Sequence, residues 1–381
     1  MSEQMSDERR ALVEVVRDFT NAELAPNAAH WDAEKIFPVD TLERAGGLGL
    51  GAIYVREDVG GSALSRQDAV AIFEELAKGD TTIAAYISIH NMVVWMIDTF
   101  GTDEQRRAWI PSLASLSERA SYCLTEPGAG SDAAAITTSA IRQGEEYVLN
   151  GVKQFISGAG SSSVYLVMAR TGEPGPRGIS AILVPAGTPG LSFGPLEKKM
   201  GWNAQPTRQV IFEEVRVPLN NRLSDEGEGF HIAMQGLNGG RINIGACSLG
   251  GAQWALDRTI RYVHERYAFG RELAEQQSIM FALADMETDL VAARAVLQRA
   301  ASKMDEKADD LVVACALAKR FATDAAFRVA NSALQIHGGY GYLQDYGIER
   351  VVRDLRVHQI LEGTNEIMRL IVGRGLMERH Q

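Results

Sequence analysis

Four stretches of this chain set acids, hydroxyls, aromatics and glycines at spacings that could carry chemistry. The first is Tyr122-Cys123-Leu124-Thr125-Glu126-Pro127-Gly128-Ala129-Gly130-Ser131-Asp132. Its glycines let backbone approach a ligand and turn N–H groups toward it, and Thr125 and Ser131 add hydroxyls. A polar turn between domains uses the same residues. The second is Lys153-Gln154-Phe155-Ile156-Ser157-Gly158-Ala159-Gly160. An aromatic followed by a small hydroxyl can stack on a planar ring and bond to its edge. A buried strand running into a turn fits the same letters. The third is Gln335-Ile336-His337-Gly338-Gly339-Tyr340-Gly341-Tyr342. Two glycines close a helix whether or not a ligand sits there. The fourth is Gln359-Ile360-Leu361-Glu362-Gly363-Thr364-Asn365-Glu366-Ile367. Desolvation among apolar neighbours raises a carboxyl pKa and suits it to work as a general base. A solvated glutamate favoured by the start of a following helix is the plainer account of Glu362. Thr364 or Asn365 is expected to cap that helix.

Other chemistries lack their signatures. No GxGxxG follows a strand, and neither a Walker A pattern nor a GxSxG elbow occurs. Cys123, Cys247 and Cys315 lie far apart, with neither metal-ligand nor disulfide spacing, which fits a reducing compartment. A net charge of -11 repels phosphate backbones, so nucleic-acid binding is not expected. The polar start from Met1 to Glu8 lacks the pattern of a secretory signal. The most apolar stretch, Ala84 to Ile97, is interrupted by His90 and Asn91, and no membrane insertion is expected. The expected location is cytoplasmic.

These motifs need elements to position them, and 381 residues suffice for two or three domains. Residues 1–120 read as helical, with Leu12, Val15, Val16 and Phe19 at helical spacing and Pro111 expected to open a short helix. Residues 121–229 read as short strands forming a small barrel or sandwich. Asn150-Gly151 is the expected hairpin turn there. Runs 210–212 and 215–217 are an expected strand pair. In residues 230–381 the helical period returns. Ile279, Leu283, Met286, Leu290, Ala293 and Leu297 form one apolar stripe, and Leu311, Cys315, Ala318, Ala322 and Ala325 another. Two long antiparallel helices joined across residues 305–310 are expected, after a helix from about Ile244 to Val263 and before one from Asn365 to Leu376.

In this order, the four motifs resemble the acyl-CoA dehydrogenase family over essentially the whole chain. Gly60-Gly61 after Asp58-Val59 and Arg266-Tyr267-Ala268-Phe269-Gly270 add to the resemblance. Gly236-Leu237-Asn238-Gly239-Gly240-Arg241-Ile242-Asn243 and Ile360-Leu361-Glu362-Gly363 are most similar to its isobutyryl-CoA dehydrogenase branch. The resemblance implies an α+β multi-domain fold: an N-terminal helical domain, a middle small β-barrel and a C-terminal four-helix bundle. It also implies FAD, a homotetramer, an acyl-CoA substrate and an electron-transferring flavoprotein as acceptor.

By resemblance, Tyr122, Cys123, Leu124, Thr125, Gly130, Ser131, Phe155, Ile156 and Ser157 contact the flavin. Arg266, Phe269, Gln276, Gln277 and the run Gln335, Ile336, His337, Gly338, Gly339 reach the FAD of a neighbouring subunit. Thr364, Asn365 and Glu366 lie near its phosphates. Ser131, Asn238, Gly239, Gly240, Arg241, Gly363 and Arg374 bind the acyl-CoA. Glu362 is the implied base, taking the α-proton as a hydride passes from the β-carbon to flavin N5. Two branches of the family carry the base just before the arginine matching Arg241; here that residue is Gly240, which has no carboxylate. Phe155 stands where many relatives have Trp, and Leu361 where straight-chain enzymes commonly have Tyr. The second change is expected to admit a methyl branch beside the α-carbon. Other short acyl chains, an oxygen-using oxidase and a non-catalytic acyl-CoA or flavin scaffold are the alternatives.

Overall fold

The computed structural model describes residues 7–378; of the polar start, residues 1–6 lie outside them. Helices α1 (Asp7–Phe19), α2 (Ala28–Glu34), α3 (Val39–Gly47), α4 (Arg66–Gly79), α5 (Thr81–Phe100) and α6 (Asp103–Ala114) come first. Ser65 caps α4 and Thr102 caps α6, each in a reciprocal capping box. Pro111 therefore does not open a helix but lies in the last turns of α6, because Thr102 and Gln105 had already nucleated it. By length and apolarity α5 could cross a membrane, but 78% of its most apolar window is buried inside the protein, where it forms core.

Strands β1 (Ala120–Cys123), β2 (Ser139–Gln143), β3 (Glu146–Ser157), β4 (Val164–Arg170), β5 (Ile179–Pro185), β6 (Leu191–Phe193), β7 (Thr207–Pro218) and β8 (Arg222–Leu223) form one mixed sheet. Its order is β6-β7-β3-β2-β4-β5-β8, with β1 parallel to β4. The rings of Tyr165 on β4 and Phe193 on β6 approach to 5.4 Å, although three strands separate them in the sheet, so the sheet curls over its own apolar face. Side chains alternate as the pleat dictates. Tyr165, Val167 and Ala169 fill the inside of the curl, while Val164, Leu166 and Met168 face the helices.

Asn150-Gly151 makes no hairpin turn. It lies within the continuous strand β3, at a bulge where the register to β7 slips between Leu149 and Gly151. Asn150 exchanges two hydrogen bonds with Glu214 across the bulge, and Thr138 lies so close that a Cβ at Gly151 would come within 2.6 Å of its Oγ1. The turn itself is Gly144-Glu145, beside the Gln143–Glu146 pair. The expected strand pair at 210–217 is one strand, β7, irregular at the same bulge.

Helix α7 (Gly229–Glu265) begins well before the expected Ile244. Its glycines are close-approach positions. A Cβ on Gly245 would stand 2.6 Å from Leu297, and one on Gly250 would stand 2.0 Å from Glu74 O. The small hairpin β9 (Tyr267–Ala268) and β10 (Arg271–Glu272) follows. Then come the expected long pair α8 (Gln277–Asp305) and α9 (Leu311–His337), a shorter α10 (Ile348–His358), and α11 (Asn365–Glu378). Helix α9 packs on α7, α8 and α11, while α4 and α5 pack on α7. Buried Phe73 and Leu76 of α4 share a core with Leu249 of α7, Leu290 of α8 and Cys315 of α9.

Candidate active site

Glu362 sits in the connection between α10 and α11. Its φ is 57° and that of Gly363 is 86°. Holding a non-glycine residue in that region costs about 1–3 kcal/mol and requires enforcement by its surroundings. Thr364 Oγ1 supplies part of it, accepting the N–H of Ile367 at 3.3 Å as the cap of α11. Lys319, fully buried on α9, donates to Gly363 O and to Asn365 Oδ1, both at 2.9 Å. Arg241 Nε donates to Glu362 O at 3.3 Å, and its Nη1 donates to Asn238 Oδ1 at 2.8 Å.

The carboxylate of Glu362 lies against α7 at Gly240, where a Cβ would stand 2.5 Å from Oε2 and 2.8 Å from Cδ. The residue is only partly buried, but Oε2 is enclosed and has no hydrogen-bond partner. Loss of water lifts the carboxyl to about 7, with Arg241 and then Lys319 opposing the rise. Burial likewise lowers Lys319 to about 7, against the attraction of Glu362. The buried Tyr122 hydroxyl has no partner, and burial, then the nearby Glu362 charge, raise its pKa. Lys319→Met removes one of the two cations facing Glu362. The midpoint of the pH–kcat/KM profile is then expected above about 7. A midpoint that stays put assigns Lys319 to tethering the loop alone.

The first motif is held by a buried ion pair. Lys153 Nζ donates to Leu124 O at 2.9 Å and to Glu126 Oε1 at 2.8 Å. The N–H groups of Thr137 and Thr138 complete the Glu126 shell at 2.7 and 2.9 Å. Burial acts to raise Glu126, but Lys153 and these donors hold it at about 2. Lys153→Met leaves that carboxylate buried without its cation, and an expected loss of about 3–5 kcal/mol would appear as a lowered Tm.

Thr125 O accepts Gln154 N–H at 2.8 Å, which joins the first motif to the second. Phe155 sits at a second register slip of β3, with φ 59°, and is turned out to 64% exposure. The side chains of Cys123 and Ile156 point into the sheet core. Ser157 Oγ accepts from Gln205 at 3.2 Å. Gly130 and Ser131 are exposed, and a Cβ on Gly130 would meet nothing.

The third motif lies elsewhere. Ile336, His337, Gly338 and Gly339 join Tyr262, Arg266 and Tyr340 around a cleft of about 430 Å³. His337 stacks on Tyr262 at 4.2 Å, and Arg266 lies 5.4 Å over Tyr340. Phe269, 96% exposed, tops the β9–β10 hairpin; Gln276 precedes α8 with its side-chain nitrogen buried and unpartnered; Gln277 and Gln335 are exposed. From Gly240 to Glu265 helix α7 rises about 38 Å, so this cleft stands far from Glu362. Glu366 is exposed and pairs with Arg369, and Arg374 is exposed further along α11.

The structure thus gathers Tyr122, Asn238, Gly239, Gly240, Arg241, Glu362 and Gly363, and separates them from Arg266 and the 335–339 run. It adds Lys319, Tyr54 and Arg66, which no motif contained, and Asn243, which stood only as the last residue of the Gly236–Asn243 stretch. Lys319 had a signal: four residues after Cys315 and three before Ala322, it falls on a buried stripe. Tyr54 and Arg66 had none, lying in an irregular run and at a helix start.

Three family models match in order along the chain: the acyl-CoA dehydrogenase N-terminal domain on residues 6–117, middle domain on 121–215 and C-terminal domain on 227–377. The chain belongs to the acyl-CoA dehydrogenase family. Among curated relatives of this acyl-CoA dehydrogenase, mitochondrial isobutyryl-CoA dehydrogenase of Bos taurus is 54% identical over 98% of this chain and 90% of its own. The Dictyostelium discoideum protein of the same name is 53% identical with the same coverage. The solved butyryl-CoA dehydrogenase of Megasphaera elsdenii is 37% identical with a TM-score of 0.96, covering 99% of this chain and all (100%) of that one. A chain solved in work on the electron-transferring flavoprotein of Acidaminococcus fermentans matches with the same four values: 37%, 0.96, 99% and 100%. The helical, β and helical segments are those of an acyl-CoA dehydrogenase, and the chain is an oxidoreductase of that family.

Proposed function

We propose that this enzyme converts isobutyryl-CoA to methacrylyl-CoA with Glu362 as the base. The observation that carries the proposal is the Glu362 carboxylate, set against Gly240 with one enclosed oxygen unpartnered and a pKa of about 7. Half-ionised near neutrality, it suits removal of a weakly acidic proton α to a thioester. The similarity of both isobutyryl-CoA dehydrogenases supports the substrate. So does Leu361, whose side chain leaves more room beside Glu362 than tyrosine does.

The residues present fit FAD. Tyr122 holds a buried hydroxyl without a partner, Phe155 presents its ring outward at positive φ, and the Gly130 backbone is open. Those segments would hold the ring, and residues 364–366 the phosphate end. Arg266, Phe269, Gln276, Gln277 and residues 335–339 are too far along α7 to touch the same cofactor, which favours a second copy supplying them and the homotetramer. Bound there, FAD supplies the two-electron acceptor. Glu362 takes the α-proton while the β C–H bond gives up a hydride and a Cα–Cβ double bond forms. Asn238, Arg241, Gly363, Ser131 and Arg374 hold the CoA thioester, and enclosure of the carboxylate excludes water from the reacting carbon. An electron-transferring flavoprotein is the proposed acceptor. A cytoplasmic location remains part of this reading, and the three buried, unpaired cysteines support a reducing compartment.

Anaerobic bleaching of the flavin band by a panel of acyl-CoA thioesters tests the proposal. Isobutyryl-CoA is expected to bleach fastest. Faster bleaching by butyryl- or 2-methylbutyryl-CoA reassigns the substrate. Peroxide formed without an added acceptor favours an oxidase, and a colourless protein that takes up no FAD defeats the enzyme reading.

A further inference from the structure

We infer that Tyr54, Arg66 and Asn243 form a polar floor to the acyl end of the cleft and confine the substrate to a short chain. This rests on the acyl-CoA reading above. Gly239 and Gly240 are neighbours on α7. The base lies over Gly240, and Arg66 lies over Gly239, where a Cβ would stand 2.7 Å from its Nη1. Guanidinium and carboxylate therefore occupy the same turn of α7, and Tyr54 lies close enough to sense both charges.

Arg66 is 7% exposed, and among the described residues no carboxylate forms an ion pair with its guanidinium, whose attraction to Asp305 acts at a distance. It rests instead 3.4 Å over the Tyr54 ring and 5.2 Å from that of Trp95. Its backbone N–H donates to Asp305 Oδ1 at 2.8 Å, which fixes the root of the side chain. One turn along α7, fully buried Asn243 donates Nδ2 to Tyr54 Oη at 3.0 Å, while its own Oδ1 has no partner. The wall toward α4 and α5 thus holds a cation without a carboxylate partner, bonded to the Tyr54 hydroxyl, and an unused acceptor. Methylenes pushed against them would exclude polar company and return none, so long alkyl chains are disfavoured. A chain that stops short avoids that loss.

The test is kcat/KM of the holoenzyme for isobutyryl-CoA and hexanoyl-CoA, in wild type, Asn243→Leu, Arg66→Met and Tyr54→Phe. The last keeps the ring beneath Arg66 and removes only the hydroxyl. Asn243→Leu and Arg66→Met, where flavin is retained, are expected to move the hexanoyl-to-isobutyryl ratio upward, by about tenfold for Asn243→Leu, and Tyr54→Phe, which leaves Asn243 Nδ2 without its acceptor, is expected to move it downward. An unchanged ratio in flavin-loaded variants overturns the floor. Loss of flavin from all three also overturns it, by making the cluster a structural brace. A wild type that acts on no acyl-CoA at all instead defeats the functional reading beneath it.

Discussion

Glu362→Gln is expected to keep FAD bound and to lower kcat by about 10³-fold or more, the upper part of the range for removing a positioned general base. Glutamine preserves shape and cannot take a proton. In the wild type kcat/KM should rise with pH through about 7, falling tenfold per unit below it, since only the ionised carboxylate acts. The same shift has a sign for stability. The folded carboxyl binds its proton more tightly than the unfolded one, whose value is near 4.5. The resulting stabilisation is complete below about 4.5 and is lost as pH rises through about 7. Glu362→Gln escapes that loss, so its Tm should exceed that of wild type at pH 8, by the equivalent of up to about 3 kcal/mol, and converge with it near pH 5. Normal turnover in the variant removes Glu362 as the base, and a Tm difference independent of pH removes its raised pKa.

The second large effect is relocation of the base. A Cβ at position 240 would stand 2.8 Å from Glu362 Cδ, close to the reach of a glutamate side chain from its own Cβ. Glu362→Ala alone should be nearly inactive. Adding Gly240→Glu should recover at least about tenfold of that loss, because a carboxylate returns to nearly the same point. Gly240→Ala beside an intact Glu362 should do the reverse and lower kcat, since its methyl takes the space the carboxylate occupies. Paired kcat measurements on flavin-loaded enzymes decide it: a double variant no faster than Glu362→Ala shows that carboxylate direction, not only place, is required.

Much of the site was legible because short motifs encode local backbone needs. Gly363 follows Glu362, itself held at positive φ, Thr364 caps the next helix, and glycines open the first loop; these depend on neighbours a few residues away. Lys319 lay in a helix whose apolar rhythm masked it, since a buried polar side chain looks like a flaw in the stripe until its partner is known, and Asn243 stood just before the expected helix start with no local sign of its partner. Arg66 stands in the first turn of a helix, where nothing local distinguishes a buried arginine from a solvated one. Asn150-Gly151 misled because a bulge and a hairpin turn both favour residues tolerant of unusual backbone, and only pairing with β7 distinguishes them.

The sequence by itself determined the family, the order of helical and β segments and the long α8–α9 pair, and it offered a carboxylate at 362 and none at 240. Only the tertiary structure decided that Gly240 and Glu362 meet, that Arg241 and Lys319 oppose the desolvation of Glu362, and that two expected cofactor regions stand at opposite ends of α7. Those facts depend on distances between residues more than a hundred positions apart. Local propensity has no access to such distances; they are set when helices from both ends of the chain close over one core.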